Sequence, residues 1–431
     1  MRRDALVLAV FLTQSLSWFT SAIASFAVRV IIFQTTQSIT SYSYLTLVSS
    51  LPGLLLWPLA GFLADRFDRK VIIIASDVVA SITSYFFMLT ITDSGEFSLA
   101  PFYLSTLVLA VAHEIQAPAF EASISLIVPP EHIDRAFAMI ELSNGISKLL
   151  SPVASCFLLD RFGLHAIIAM DVLCCAAATA SLALTPFLSV KISAEGERSF
   201  AGSKFESILF GVRYLLHHRP LLFLCLHAAT SCFFTAFIFE LLPPLVLSLG
   251  TPEILGYISS FAGTGVLLGS IYITTFGCPK HKAAAITRLS IAQGLTMVCA
   301  WSRPDFLLIA CIGFVYCFCD AILGSCGQVV WTESVPEDIQ GRVFAFRDFL
   351  AGAAHILSLL CAGPLSDFLE DSLVNSKSEF LFLLAGSLTL PGEAQSLRLI
   401  FVVCGILWVA LSLLFHFFAQ LPQLDIVAKK D

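Results

Sequence analysis

The residues of this sequence best placed to do chemistry are carboxylates set inside long apolar runs. Glu114 and Glu121 stand seven residues apart in one such run, which puts both on one face of a helix, about 10.5 Å from each other along its axis. Glu240 and Asp320 sit in two further runs. A charge at the centre of a bilayer costs about 2.5 to 3.5 kcal/mol on insertion scales, so it faces a cavity or a partner and marks a pathway for substrate or protons. Glu141, Asn144 and Lys148 form a second polar stripe at i, i+3 and i+7. Lys148 is expected either to bind an anionic substrate group or to neutralise Glu121, and the competing structural reading is a clasp in which Lys148 pairs with Glu114 and Glu121. His113, next to Glu114, reads as a hydrogen-bonded core histidine rather than a relay.

The elements that must hold these groups are membrane-spanning helices. Of the 431 residues, 57% are hydrophobic and 13% charged, about half the charge of ordinary soluble domains. Hydropathy predicts twelve spans over 5–33, 41–63, 71–92, 99–128, 136–159, 164–190, 221–249, 254–276, 283–301, 305–332, 343–369 and 397–418, each near the roughly 20 residues that cross a bilayer. Arg2 and Arg3 before an apolar stretch imitate a secretory signal, but the stretch runs on to Phe33 and reads as an uncleaved first span. The net charge of −7 argues against a nucleic-acid partner. No Cys/His cluster has zinc spacing and no GxxxxGK[ST] loop is present, so neither a metalloenzyme nor an ATP-driven pump is expected. The 13 cysteines fall mostly in apolar runs and read as free thiols. No cofactor is expected.

Basic residues orient the spans. Eighteen of the 24 lysines and arginines fall on the side that also carries both termini, and four on the other, so both termini are expected in the cytoplasm. The inner interval 191–220 is charged and reads as a linker between an N-terminal six-helix bundle, 1–190, and a C-terminal one, 221–431. A repeat supports this division. Val128-Pro129-Pro130-Glu131-His132-Ile133-Asp134-Arg135 is echoed 207 residues later by Val335-Pro336-Glu337-Asp338-Ile339-Gln340-Gly341-Arg342. The same offset pairs His113 with Asp320, Glu121 with Gln328, Glu141 with Asp348 and Lys148 with His355. Parallel repeats of six spans with a midplane site are a known transporter plan. Gly265 and Gly269 give a GxxxG spacing for close helix packing, expected at a rocking interface.

Between the second and third spans, Gly61-Phe62-Leu63-Ala64-Asp65-Arg66-Phe67-Asp68-Arg69-Lys70 resembles the GxLaDRxxRK loop of the major facilitator superfamily. Gly61 permits close helix approach, and Arg66, Arg69 and Lys70 can anchor the inner face. The resemblance makes Asp65 a conformational latch, with Arg135 as its expected partner. The corresponding loop of the second half, Gly277-Cys278-Pro279-Lys280-His281-Lys282, keeps the basic charge and lacks the aspartate. Ser25-Phe26-Ala27, Ser49-Ser50-Leu51-Pro52-Gly53 and Gln340-Gly341-Arg342-Val343-Phe344-Ala345 resemble the macrolide-efflux and siderophore-export branch.

The resemblance implies an all-α integral membrane protein of twelve transmembrane helices in two pseudo-symmetric six-helix bundles. Spans one, four, seven and ten would then surround a central cavity, which makes Glu114, Glu121, Glu240 and Asp320 the proton-carrier candidates. Asp77 and Asp171, on spans three and six, would be peripheral. The implied function is secondary active export of a small amphipathic compound by proton antiport and alternating access, in the bacterial inner membrane, by a monomer drawing on the proton gradient. A proton-coupled importer or facilitator shares these features, and a non-transporting membrane receptor or scaffold is a further alternative.

Overall fold

The computed structural model describes residues 2–90, 98–127, 133–184, 203–279, 281–299, 305–375 and 392–418. Within them the chain is helical: α1 (Arg2–Thr36), α2 (Ile39–Arg66), α3 (Arg69–Thr90), α4 (Leu99–Ile127), α5 (Ile133–Ala183), α6 (Ser203–His217), α7 (Arg219–Leu249), α8 (Pro252–Phe276), α9 (Lys282–Cys299), α10 (Phe306–Ser334), α11 (Glu337–Asn375) and α12 (Gly392–Phe418). Local chemistry sets several ends. Asp68 accepts from the Lys70 backbone N–H at 2.9 Å where α3 begins, and Asp305 accepts from the Leu307 N–H at 3.0 Å at the start of α10, both filling donors that a first turn leaves open. Pro220 and Pro252 occupy first-turn positions, where a missing N–H costs nothing.

Ten helices among the described residues are long and apolar enough to cross a membrane. The difference from the twelve expected spans has two causes. The stretch Ser143–Ala183 holds two expected spans, which meet at Gly163 with φ 72°, a conformation that favours glycine. The ninth expected span is a shorter apolar helix, Ala284–Cys299. Outward faces carry large apolar side chains such as Leu173, Phe276 and Leu307, as helices facing hydrocarbon do.

Contacts divide the chain into two compact units, Met1–Gln37 with Tyr44–Ala201, and Ser38–Ser43 with Gly202–Asp431. In the first, α1 packs along α5, and α3 packs against α4 and α5. Its core includes Val10, Phe11, Ile73, Phe120 and Ile124, with a second cluster around Ile23, Ile32, Phe87 and Phe102. In the second unit α8 packs on α10, α9 on α12 and α7 on α11. Leu221, Leu224, Ile286, Ile322, Trp331, Val343 and Phe415 form its core. Part of the charged interval between the spans is itself structured: α6 packs on α11, with Leu215 buried and the Arg342 guanidinium over the Phe210 ring at 5.3 Å.

The glycines of α8 serve the inside of the second unit, so the rocking interface expected from their spacing is replaced by an internal crossing. A Cβ at Gly265 would overlap the Phe314 carbonyl oxygen, and one at Gly269 would lie 2.8 Å from the Phe318 oxygen. Gly294 and Gly405 do the same for α9 and α12, each Cβ falling within 3 Å of the other residue's carbonyl oxygen.

Candidate functional site

Three helices and the second half of α5 carry polar residues at helical spacing into the interior of the first unit. Gln14, Thr20 and Ser21 lie on α1, Asp77 and Ser84 on α3, Gln116 on α4, and Asp171 and Cys175 on α5. Asp77 accepts from Gln14 Nε2 at 2.9 Å and Gln116 Nε2 at 2.7 Å. Gln116 Nε2 also donates to Gln14 Oε1 at 3.2 Å, closing a ring that ties α1, α3 and α4 together. Asp171 accepts from Ser21 Oγ at 2.6 Å, Ser84 Oγ at 3.0 Å and Thr20 Oγ1 at 3.3 Å. Both aspartates are buried, at 3% and 5% exposure. Every donor to them here is neutral, a set suited to a carboxylate that accepts through both oxygens.

Of these groups, Ser21, Asp77, Ser84, Gln116, Asp171 and Cys175 line a cavity of about 300 Å³ in the first unit, together with Trp18, Phe87, His113 and Glu114. The His113 ring meets Trp18 edge-on at 6.0 Å between centroids. Glu114 lies against Gly53, where an added Cβ would stand 3.1 Å from Glu114 Oε1. Among the described residues no hydrogen bond or ion pair reaches the Glu114 carboxylate. Glu121, one face-repeat further along α4, is exposed and does not line this cavity.

In the second unit Asp320 accepts from Gln293 Nε2 at 3.1 Å, a link from α10 to α9 that mirrors the Gln116 to Asp77 link from α4 to α3 with carboxylate and carboxamide exchanged. Thr235 Oγ1 and Tyr316 OH share a hydrogen bond of 2.8 Å. Glu240 is buried in α7. Of the phenylalanines in α7, Phe239 borders a small apolar void of about 40 Å³, whereas Phe234 and Phe237 are core. Arg347 donates to Gln328 Oε1 and Asp348 Oδ1, both at 2.8 Å, so two residues paired by the 207-residue offset with Glu121 and Glu141 are brought together by one guanidinium.

Of the basic loop after α2, the Lys70 Nζ donates to the Ala183 carbonyl oxygen at 3.1 Å, a cation on the last turn of a helix, and Arg69 is half-buried at the start of α3. Gly61, Asp65 and Arg66 lie in α2 and Arg135, Glu141 and Lys148 in α5, but their side chains lie outside the described residues, and with them the expected Asp65 to Arg135 latch and the Lys148 clasp. Thus five polar positions read as one pathway separate into Glu114 in the cavity of the first unit, Glu121 outside it, Glu240 and Asp320 in the second unit, and Lys148 outside the description. Sequence reasoning missed Asp77 and Asp171 as cavity residues. The available signal was the seven-residue spacing of Gln14 and Ser21 and of Asp77 and Ser84, matching stripes on neighbouring apolar helices.

The family profile described as Major Facilitator Superfamily matches residues 10–359 of this chain. Macrolide efflux protein A of Streptococcus pyogenes is 25% identical over 368 residues, covering 82% of this chain and 87% of that protein. Among solved structures, a bacterial homologue of the human lysosomal transporter Spinster, in an inward-facing and unoccupied conformation, superposes with a TM-score of 0.70 at 15% identity, over 100% of this chain and 98% of the other. The nucleoside transporter NupG gives 0.71 at 14% identity, over 95% and 99%. These similar proteins are membrane transporters rather than enzymes.

Proposed function

The chain belongs to the Major Facilitator Superfamily, and on that premise we propose that it is a secondary active transporter that exports a small amphipathic compound in exchange for protons, by alternating access. The observation that carries this reading is Glu114: a carboxylate with no partner among the described residues, in a cavity of about 300 Å³ inside an apolar helical unit. Such a group is costly to place in a membrane and is kept where it carries a proton or meets a substrate. Glu121, Glu240 and Asp320 are the further proton carriers of the proposal, and Lys148 is the base that answers one of them. The similarity to a macrolide efflux protein supports the outward direction. The bias of basic residues supports cytoplasmic termini, and the resemblance to the macrolide-efflux branch supports insertion in the bacterial inner membrane. Asp65 with Arg135, flanked by Gly61, Arg66, Arg69 and Lys70, is the proposed latch.

Accumulation of radiolabelled erythromycin and of ethidium in cells with and without the protein tests the proposal. One proton crossing 100 mV supplies about 2.3 kcal/mol, enough to sustain roughly a fifty-fold gradient of a neutral compound. Cells with the protein are expected to hold less of at least one probe, the difference vanishing on collapse of the proton gradient and in Glu114→Gln. Gradient-dependent gain of probe instead of loss would reverse the direction. Unchanged coupling in Glu114→Gln, Glu121→Gln and Asp320→Asn would sink the proton-carrier assignment.

A further inference from the structure

The geometry points to an organic monocation as the ligand of the cavity in the first unit: a compact amine or pyridinium whose charge meets Glu114 and whose apolar body lies against Trp18 and Phe87. The inference rests on reading this cavity as the substrate site and deepens that reading by naming the chemical class. Besides the Cys175 thiol, four ionisable side chains line the cavity, Asp77, His113, Glu114 and Asp171, and among the described residues its lining contains no lysine or arginine. Three acids face one imidazole. The acids are not equivalent. Asp77 and Asp171 already accept five side-chain hydrogen bonds from α1, α3 and α4, so their oxygens are engaged within the unit. Among the described residues Glu114 has no such donors, and it remains for the incoming charge.

The rest of the lining decides what kind of cation. An inorganic ion needs several oxygens free to converge on it, and among the described residues no group of three His, Cys, Asp or Glu side chains is arranged to hold a metal. The cavity instead offers two aromatic side chains, Trp18 and Phe87, a residue type that attracts a cation of low hydration. Its volume of about 300 Å³ lies at the lower end of the roughly 300 to 1,000 Å³ of small-molecule sites, which fits a body of two small rings.

The test uses equilibrium dialysis on the full-length protein in nanodiscs with three probes of one shape: 1-methyl-4-phenylpyridinium, neutral 4-methylbiphenyl and anionic 4-biphenylcarboxylate. The cation is expected to bind at least about tenfold more tightly than the neutral probe, a difference of about 1.4 kcal/mol, and Glu114→Gln to remove that preference while leaving the neutral probe unaffected. Glu114→Asp should retain part of it. Should Glu114→Gln fail to fold, Gly53→Ala keeps every charge and places a methyl 3.1 Å from Oε1 of Glu114; its cation affinity should fall severalfold. Equal binding of the three probes, preference for the anion, insensitivity to these variants, or displacement of the cation by millimolar sodium overturns the inference. Binding at equilibrium requires no transport, so a protein that selects the cation but moves neither erythromycin nor ethidium against a gradient fails only as an exporter. One that exports erythromycin yet binds the three probes alike fails only here.

Discussion

Gly265→Leu is expected to leave little folded protein. In the second unit α8 and α10 touch backbone to backbone: a Cβ at Gly265 overlaps the Phe314 carbonyl oxygen and lies 3.1 Å from the Phe318 nitrogen. One turn on, a Cβ at Gly269 meets the Phe318 oxygen at 2.8 Å and the Ala321 Cβ at 2.9 Å, and from the other side Gly313 faces the Ala262 Cβ at 3.1 Å. Lipid tails are as apolar as leucine, so association of these helices rests on close packing rather than on the hydrophobic effect. A leucine at the crossing point cannot be relieved by a rotamer change, because the obstruction is main chain. The helices must separate, at a cost of about 3 kcal/mol or more, a large part of the roughly 5 to 15 kcal/mol that holds a domain together. Gly327→Leu is the matched control, since nothing lies within 4 Å of a Cβ there, and it should be neutral or slightly stabilising through helix propensity. Thermal unfolding followed by size exclusion in detergent reads both. A Gly265→Leu protein that stays monodisperse to the wild-type temperature would falsify the crossing.

Asp77→Leu carries the second large effect, in the first unit. It strands the carboxamides of Gln14 and Gln116, both at most 5% exposed, whose N–H groups donate to Asp77. Each buried donor left without an acceptor costs about 1 to 3 kcal/mol, so the single variant should lose about 2 to 6 kcal/mol. The same accounting makes a sharper statement: replacing all three polar residues together with leucine removes the donors along with the acceptor and should recover most of the lost stability. Unfolding of Asp77→Leu against the triple variant, each relative to wild type, checks this. If the triple variant is the less stable of the two, the ring of side chains contributes net stability and the argument from stranded donors is wrong.

Much of the helical framework was legible because spanning a membrane forces long apolar runs, and Gly163 and Asp305 behave as local chemistry says they must. The interior was less legible. A helix that is apolar all round, as α4 is, has no strong hydrophobic side, so periodicity does not say which face turns inward; only rare polar residues do. Glu114 was found for that reason. The resemblance assigns the helices of Asp77 and Asp171 to the periphery, whereas their side chains reach inward and line the cavity. Lys70 shows the opposite limit: its ammonium was readable as an anchor on the inner face, but the Ala183 carbonyl it holds is 113 residues away and no spacing rule reaches it.

Cys175 gives the cavity a native chemical reporter. Its sulfur is buried, borders the cavity and donates to the Asp77 backbone oxygen at 3.3 Å, whereas Cys299 and Cys311 are exposed and can be blocked first with a membrane-permeant maleimide. Conversion of the Cys175 thiol to a mixed disulfide by a small methanethiosulfonate, with loss of methanesulfinate, then requires entry through the space a ligand would fill, and peptide mass mapping reads it at Cys175 apart from the ten other thiols that remain. Occupancy becomes measurable as protection from labelling, on the natural sequence and without an engineered probe.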